Sequence, residues 1–422
     1  MNILLIGSGG REHAIAWKLA ESELLEELYI APGNPGTANL GVNLPISINE
    51  FEKIADAVDE YGIDIVIIGP EQPLVDGLTD FLEYNYGKTL KIIGPSKEAA
   101  QLEGSKEFAK LFMSKYNIPT AKYKSFAAAQ MNEAISYLDT INAPYVLKAD
   151  GLAAGKGVFI TENKSEAITE LKEMFLGKFG KAGDRVVIEE FLSGIELSVF
   201  VLTDGSDYVI LPNAKDYKRV GEKDSGLNTG GMGAVSPVSF ATPDFMKKVE
   251  ETIIKPTVQG IKRDNLKYVG FIFFGLIKVG DNPFVIEYNV RLGDPETEVV
   301  MPLINSDLLE LLNDAATESL KGKAIDIDPG YACTVMMVSG GYPQEFKKDY
   351  VITGLNNVSD SLIFHAGTTF KNNDIVTSGG RVLAVTSLGN TKQQALETSY
   401  QSIQKIEYID MYFRTDIGFD LE

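Results

Sequence analysis

The chain has 422 residues, enough for two to four domains rather than one. Thirty-nine Lys and Arg stand against 59 Asp and Glu, a formal charge of −20, which argues against a protein that tracks nucleic-acid phosphates or clings to an acidic membrane face. One cysteine, Cys333, rules out an intrachain disulfide framework and a multi-cysteine zinc site, and it suits a reducing, cytoplasmic setting.

The first seven residues lack a basic stretch and hold only a short apolar run, so neither a signal peptide nor a spanning helix is expected there. Over the first hundred residues, short β-branched runs at 3–6, 29–30, 64–68 and 90–93 alternate with helical patterns, which predicts βαβ units around a parallel sheet. Ser105 is placed to cap a helix with an apolar stripe of Phe108, Leu111 and Phe112, ending before Pro119. Strands are expected at 145–148, 158–161, 185–189 and 196–202, with Gly194 turning the chain between the last two. The glycine-rich stretch 215–233 is too long for a plain connector and reads as a functional or disordered loop. A helix over 243–263 precedes a hairpin of 268–278 and 284–289. Beyond a boundary at 322–329 come strands at 332–338 and 381–386. A last helix begins at Thr391, with Leu396, Tyr400, Ile403 and Ile406 at helical spacing. The expected domains are 1–104, 105–325 with a lid near 121–192, and 326–422.

Four stretches carry chemistry. Gly7-Ser8-Gly9-Gly10-Arg11 follows a strand and opens a helix, so its backbone amides suit an anion, although a glycine turn serving only close packing accounts for it equally well. It is not a dinucleotide fingerprint, because Glu12 occupies the third glycine position. Lys148 ends a strand before the flap Gly151 to Gly157, an arrangement for covering phosphates that lacks the order of a P-loop. Glu287, Asn289 and Arg291 alternate on one strand face, and their oxygens suit a hard cation shared with a polyphosphate. Residues 187–196, taken alone, read as an exposed acidic hinge. The two histidines, His13 and His365, form no metal-ligand spacing and no GxSxG elbow surrounds a serine, so chemistry without a protein nucleophile is expected.

Together these stretches resemble the ATP-grasp superfamily and, within it, the glycinamide ribonucleotide synthetase family. The resemblance rests on GGREHA (9–14), APGNPGT (31–37), GPEQPL (69–74), LEGSK (102–106), KADGLAAGKGV (148–158), NTGGMGA (228–234), EYNVRLGDPE (287–296) and FHAGT (364–368). It implies an α/β and α+β multidomain fold: a parallel α/β pre-grasp domain, an ATP-grasp core with a mobile lid, and a small C-terminal α+β domain. It also implies ATP-dependent joining of glycine to 5-phosphoribosylamine in purine biosynthesis, with Mg²⁺ or Mn²⁺ as cofactor and no nucleic acid or membrane as partner. Transient contact with neighbouring enzymes of the pathway belongs to the same expectation.

By the same resemblance Lys106 and Lys148 contact the ATP phosphates, and the loop containing Gly155, Lys156 and Gly157 covers them. Glu189 and the Leu192 backbone hold adenine, and Glu196 the ribose. Glu287 and Asn289 ligate the metal, with Arg291 and Lys148 as the catalytic pair, while Gly10, Arg11, Glu71, Asp294 and Arg381 receive the aminosugar phosphate. Two positions depart from the family pattern. Residues 270–276 lack the further metal-binding acid of many ATP-grasp enzymes, and Tyr217 stands where many relatives carry histidine, so no proton transfer is assigned to it. A ligase with another amine or carboxylate partner would keep Lys106, Lys148, Glu287 and Asn289 without needing Gly9-Gly10-Arg11 or Arg381. A nucleotide-binding regulator without turnover would not need the full metal and phosphate set.

Overall fold

The computed structural model of the chain describes residues 1–152 and 157–421. Its N-terminal sheet is parallel, with β1 (Asn2–Gly7), β2 (Glu27–Pro32), β3 (Val42–Asn43), β4 (Ile65–Ile68) and β5 (Lys91–Ile93) in the spatial order β3-β2-β1-β4-β5. The apolar runs of β1 and β4 are buried from end to end, as a sheet covered on both faces requires. Strand order reverses at β1, so a crevice opens beyond the carboxyl ends of β1 and β4. Gly7 to Gly10 and Gly69 to Glu71 leave the sheet at that crevice, and Gly7 holds φ +131°, a conformation that favours glycine.

The segment after β5 begins with helix Lys106–Lys115, capped as expected by Ser105, whose Oγ accepts the Phe108 N–H at 3.1 Å. The expected stripe is only partly right: Phe112 is buried, but Leu111 is 58% exposed. The buried face runs instead through Ala109, Lys110, Phe112 and Met113. Tyr123–Ala127, Arg185–Glu190, Tyr145–Ala149 and Val158–Thr161 then form a separate antiparallel sheet in that order. It has its own core of Phe126, Leu138, Leu147, Leu171, Val186 and neighbours, distinct from the large core that runs through the rest of the chain. This unit meets helix Lys106–Lys115 through polar contacts. Arg185 Nη1 is 2.7 Å from Glu107 Oε1, Asp150 Oδ1 accepts from the Ser105 hydroxyl and the Glu107 N–H, and Lys106 Nζ donates to the Gly151 carbonyl.

Arg185–Glu190 and Ile195–Thr203 do not pair with each other, so Gly194 is not a hairpin turn. It joins two different sheets, and a Cβ there would collide with the Lys278 carbonyl oxygen. The second sheet runs Tyr208–Ile210, Ile195–Thr203, Gly270–Val279, Asn282–Asn289, with the expected hairpin turning at Gly280 (φ +59°). A bulge opposite Gly275–Leu276 inserts Ile286 and re-aims the strand end that carries Glu287 and Asn289.

Residues 215–233 are not a structureless loop. Lys215–Asp216 and Gly233–Ser236 pair with each other and extend the C-terminal sheet of Tyr331–Ser339, Arg381–Gly389 and Leu362–His365, while Arg219–Gly221 and Ser225–Asn228 form a small hairpin between them. Helix Lys392–Ile403 covers this sheet and is capped by Thr391, the residue at which it is expected to begin; Ile406 is buried but lies beyond its end. No helix among the described residues is long and apolar enough to cross a membrane.

Candidate active site

A cavity of about 410 Å³ lies where the three sheets and the lid-like unit converge. Its walls bring together Arg11, Glu71, Lys106, Lys148, Gly157, Glu189, Glu287, Asn289, Arg291, Asp294 and Arg381, eleven of the residues singled out in the sequence. Gly10, Leu192 and Glu196 stand outside its lining: Gly10 starts the first helix, Leu192 is in the exposed link beside Gly194, and Glu196 pairs with Lys218 at 2.8 Å. Gly155 and Lys156 lie outside the described residues.

At one end sit three amines and an acid. Lys148 Nζ is 3.0 Å and Lys110 Nζ 3.2 Å from Glu189 Oε2, while Glu189 Oε1 is buried with no partner among the described residues. Residues 187–196 are therefore not uniformly an exposed hinge, because Glu189 is buried between two lysines and only the stretch after Glu190 reaches solvent. Burial resists the charge on Glu189, but Lys148 and Lys110 outweigh it and hold the carboxyl below its usual range. Burial pulls Lys110 down to about 8, with Glu189 opposing it, and lowers Lys106 against the attraction of Glu287. An orphaned carboxylate oxygen next to lysines that lack enough counter-charge matches a ligand with an N–H donor at one point and phosphates beyond it.

In the middle, Glu287 and Asn289 have no side-chain hydrogen bond or ion pair among the described residues, so their oxygens are available to a cation. Beside them Asp216 and Lys218 enter from the 215–233 segment. Asp216 is pushed up by burial, which Lys218 only partly offsets. Lys218 is held well above its ordinary value because Asp216, Glu196 and Glu287 outweigh its own desolvation. Tyr217, between them, turns the other way: its hydroxyl donates to Asp420 Oδ1 at 2.8 Å and its ring packs under Arg414. That position therefore belongs to the anchoring of the C-terminal tail.

At the far end, the crevice of the parallel sheet supplies Arg11 and Glu71. Arg11 Nε donates to Glu12 Oε1 at 2.6 Å, and Arg291 reaches Glu71 (3.3 Å) and Glu103 (2.7 Å). Desolvation works against ionised Glu71, but Arg291 and Arg11 prevail and bring it down to about 2. The first helix is capped from within, since Gly9 N–H donates to Glu12 Oε2 at 2.7 Å. Arg381 donates to the Gly230 and Asp294 carbonyls and lies 2.9 Å from Asp294 Oδ1.

Sequence reasoning missed Lys110, Asp216, Lys218, Glu103 and Glu296, all of which line the cavity. Lys110 was within reach, because it follows Lys106 by four residues and shares its helix face.

Residues 1–103 match the phosphoribosylglycinamide synthetase N domain, 104–297 its ATP-grasp (A) domain and 332–420 its C domain. The chain is 44% identical over 423 residues to phosphoribosylamine–glycine ligase of Fusobacterium nucleatum, covering 99% of this chain and 98% of the relative. It is 43% identical to the ligase of the same description from Caldanaerobacter subterraneus, covering 99% of each. The crystal structure of phosphoribosylamine–glycine ligase from Thermotoga maritima superposes with a TM-score of 0.86 at 36% identity, over 99% of this chain and 100% of that one. The biotin carboxylase domain of Hydrogenobacter thermophilus 2-oxoglutarate carboxylase, solved with MgADP, shares the fold at 17% identity and a TM-score of 0.71, over 98% and 91% of the two chains. The chain belongs to the phosphoribosylglycinamide synthetase family of ATP-grasp ligases.

Proposed function

We propose that this chain is an ATP-dependent carboxylate–amine ligase that joins glycine to 5-phosphoribosylamine, giving glycinamide ribonucleotide, ADP and phosphate in purine biosynthesis. The observation that carries this reading is the single cavity that sets a lysine-rich end, a free pair of oxygen ligands and an arginine-lined crevice in a row. Glycine carboxylate attacks the γ-phosphorus of ATP, ADP leaves, and glycyl phosphate forms. The sugar amine then attacks the acyl carbon and phosphate departs. Both nucleophiles come from substrates, so the protein orients them, neutralises charge and excludes water.

Lys106, Lys148 and the 151–157 loop take the phosphates, and the free oxygen of Glu189 with the Leu192 backbone takes adenine. Glu196 serves the ribose, and Arg291 and Lys148 flank the transferring phosphoryl group. Glu287 and Asn289 fit Mg²⁺ or Mn²⁺, which when bound neutralises the charge of the polyphosphate. Gly10, Arg11, Glu71, Asp294 and Arg381 receive the aminosugar phosphate. We assign residues 1–104, 105–325 and 326–422 to the three domains and 121–192 to a mobile lid. A cytoplasmic location and transient contact with neighbouring pathway enzymes complete the reading. Mass spectrometry of the product formed from isotope-labelled glycine, phosphoribosylamine and ATP tests it. A product carrying the glycine label in an amide to the sugar is expected, and ADP formation without such a product would overturn it.

A further inference from the structure

Lys110 borders the cavity, yet its ammonium group has no donor left to offer a ligand. Its Nζ lies 3.2 Å from Glu189 Oε2, 2.8 Å from Thr120 Oγ1 and 3.5 Å from the Ala121 carbonyl oxygen, three acceptors for its three N–H bonds. The residue is 2% exposed, and its cation lies 5.5 Å from the centre of the Tyr123 ring. The other two lysines at this end are less committed. Among the described residues Lys148 Nζ has Glu189 Oε2 at 3.0 Å and the Ile286 carbonyl at 3.4 Å, while Lys106 Nζ has the Gly151 carbonyl at 3.1 Å. Lys106 and Lys148 can therefore turn to phosphates, whereas Lys110 is locked in place.

The lock closes on one oxygen of one acid. Glu189 is 3% exposed, and both lysines approach its Oε2 while Oε1 is left without a partner among the described residues. A carboxylate between two cations gains more by offering one oxygen to each, so this one-sided pose needs something that fixes Oε2. Lys110 supplies it through Thr120, whose hydroxyl accepts from Lys110 and donates to the Val285 carbonyl at 2.7 Å. Val285 N–H in turn donates to the Pro119 carbonyl at 2.8 Å. These bonds tie Oε2 to strand Asn282–Asn289, which carries Glu287. An oxygen held in this way keeps its position when Lys148 leaves it for a phosphate.

The geometry points to Lys110 as a positioning residue for base selection: it holds Glu189 Oε2 from behind and so presents Oε1, which can only accept, to the exocyclic amino group of adenine. This rests on the adenine assignment under Proposed function and names the group that makes it selective. A 6-oxo purine offers a carbonyl oxygen where adenine offers N–H, so against a fixed Oε1 it meets lone pairs instead of an acceptor for its own donor. A Glu189 free to swivel loses that contrast, because Lys148 or water then takes up the misplaced oxygen.

Steady-state kinetics of Lys110→Met with ATP and with inosine triphosphate, which carries a 6-oxo group in place of the 6-amino group, tests the assignment. The KM for ATP should rise by about 10- to 150-fold, the scale of one charge-assisted contact, while that for inosine triphosphate stays within about threefold. The preference for ATP, read as the ratio of the two kcat/KM values, should therefore fall by about tenfold or more. The KM values for glycine and phosphoribosylamine should not move. Lys110→Arg, which keeps a buried cation with several donors, should recover part of the preference. Thr120→Val, which removes one anchor of Lys110, should lower the preference by a smaller factor and provides a second measurement if the methionine variant fails to fold. A preference that stays at its unaltered value in these variants, whatever happens to kcat or the urea midpoint, would leave Lys110 a support of the fold and overturn the proposal. The unaltered enzyme is the control for the parent reading. If it makes product without preferring ATP, adenine is removed from Glu189; if it prefers ATP and the variants do too, the role of Lys110 alone is refuted.

Discussion

His13 and His365 join the N- and C-terminal regions in a way that fixes their protonation. His13 Nδ1 accepts the backbone N–H of His365 at 2.7 Å, so that nitrogen must carry no proton, and burial together with the neighbouring His365 lowers His13 to about 3. Burial likewise lowers His365 to about 4. An unfolded chain takes up these protons near pH 6.5, whereas the folded one refuses them until far lower. Each histidine therefore contributes stability that is complete above about pH 6.5 and lost by about 1.4 kcal/mol per unit as pH falls. Glu296 and Glu298 act in the opposite sense, since burial makes the folded state keep protons that the unfolded state releases above about 4.5. The whole-protein profile between pH 4.5 and 6.5 therefore sums contributions of opposite sign, and only a difference between variants isolates one group. His13→Asn keeps an acceptor for the His365 N–H and removes the titration. Whatever the packing cost of the substitution, wild type should lose about 2 kcal/mol relative to the variant between pH 7.5 and pH 5.0, which is 1.5 units below 6.5. Urea unfolding followed by fluorescence reads this directly, because the only tryptophan, Trp17, packs against Phe364 at the same junction. A stability gap that stays constant from pH 7.5 to 5.0 would refute the neutral, accepting His13.

Glu287→Gln should cut metal-dependent turnover far more than it lowers the urea midpoint, because its carboxylate has no hydrogen-bond or ion-pair partner to lose among the described residues; near-wild-type kcat at saturating Mg²⁺ would remove it from the metal site. Arg11→Ala and Arg381→Ala should each weaken phosphoribosylamine by roughly 1.5 to 3 kcal/mol, read as its KM, and a rise confined to the KM of ATP would reassign them. Amide exchange in residues 148–152 and 157–161 should slow when Mg²⁺ and a non-hydrolysable ATP analogue are added, as expected of a lid that orders over phosphates. Equal exchange with and without nucleotide would mean a preformed loop.

The parallel sheet was legible because β1 and β4 are unbroken apolar runs followed by glycine, a pattern set by burial on both faces. Glu287 and Asn289 were legible because strand alternation is a local property, but the strand ends at Asn289, so Arg291 reaches the cavity from beyond it rather than by alternation. Lys110 was obscured by the apolar residues around it, which suggested a stripe through Leu111 although the helix turns Lys106 and Lys110 toward the cavity. Asp216 ends a short edge strand and Lys218 follows it by two residues; the strand's partners, Gly233–Ser236 and then Tyr331–Ser339, are distant in sequence, so no local periodicity announces them. Glu296 sits in a turn just before the short helix Thr297–Val300, and its place in the cavity wall comes from long-range neighbours such as Ser198 and Asp216.

The seam between the lid-like unit and helix Lys106–Lys115 includes an arginine–glutamate pair, a lysine on a carbonyl, a capping serine shared with Asp150 and the buried Lys110–Glu189 pair. Water can replace each of these partners as the seam parts, and because the unit carries its own oily interior, separation uncovers little apolar surface. Such a joint lubricates itself: swinging it open has almost none of the heat-capacity signature of unfolding, and dissolved salt loosens it by screening its more exposed charges. The ease of opening should therefore track ionic strength more closely than temperature, which is the reverse of what a greasy hinge would do.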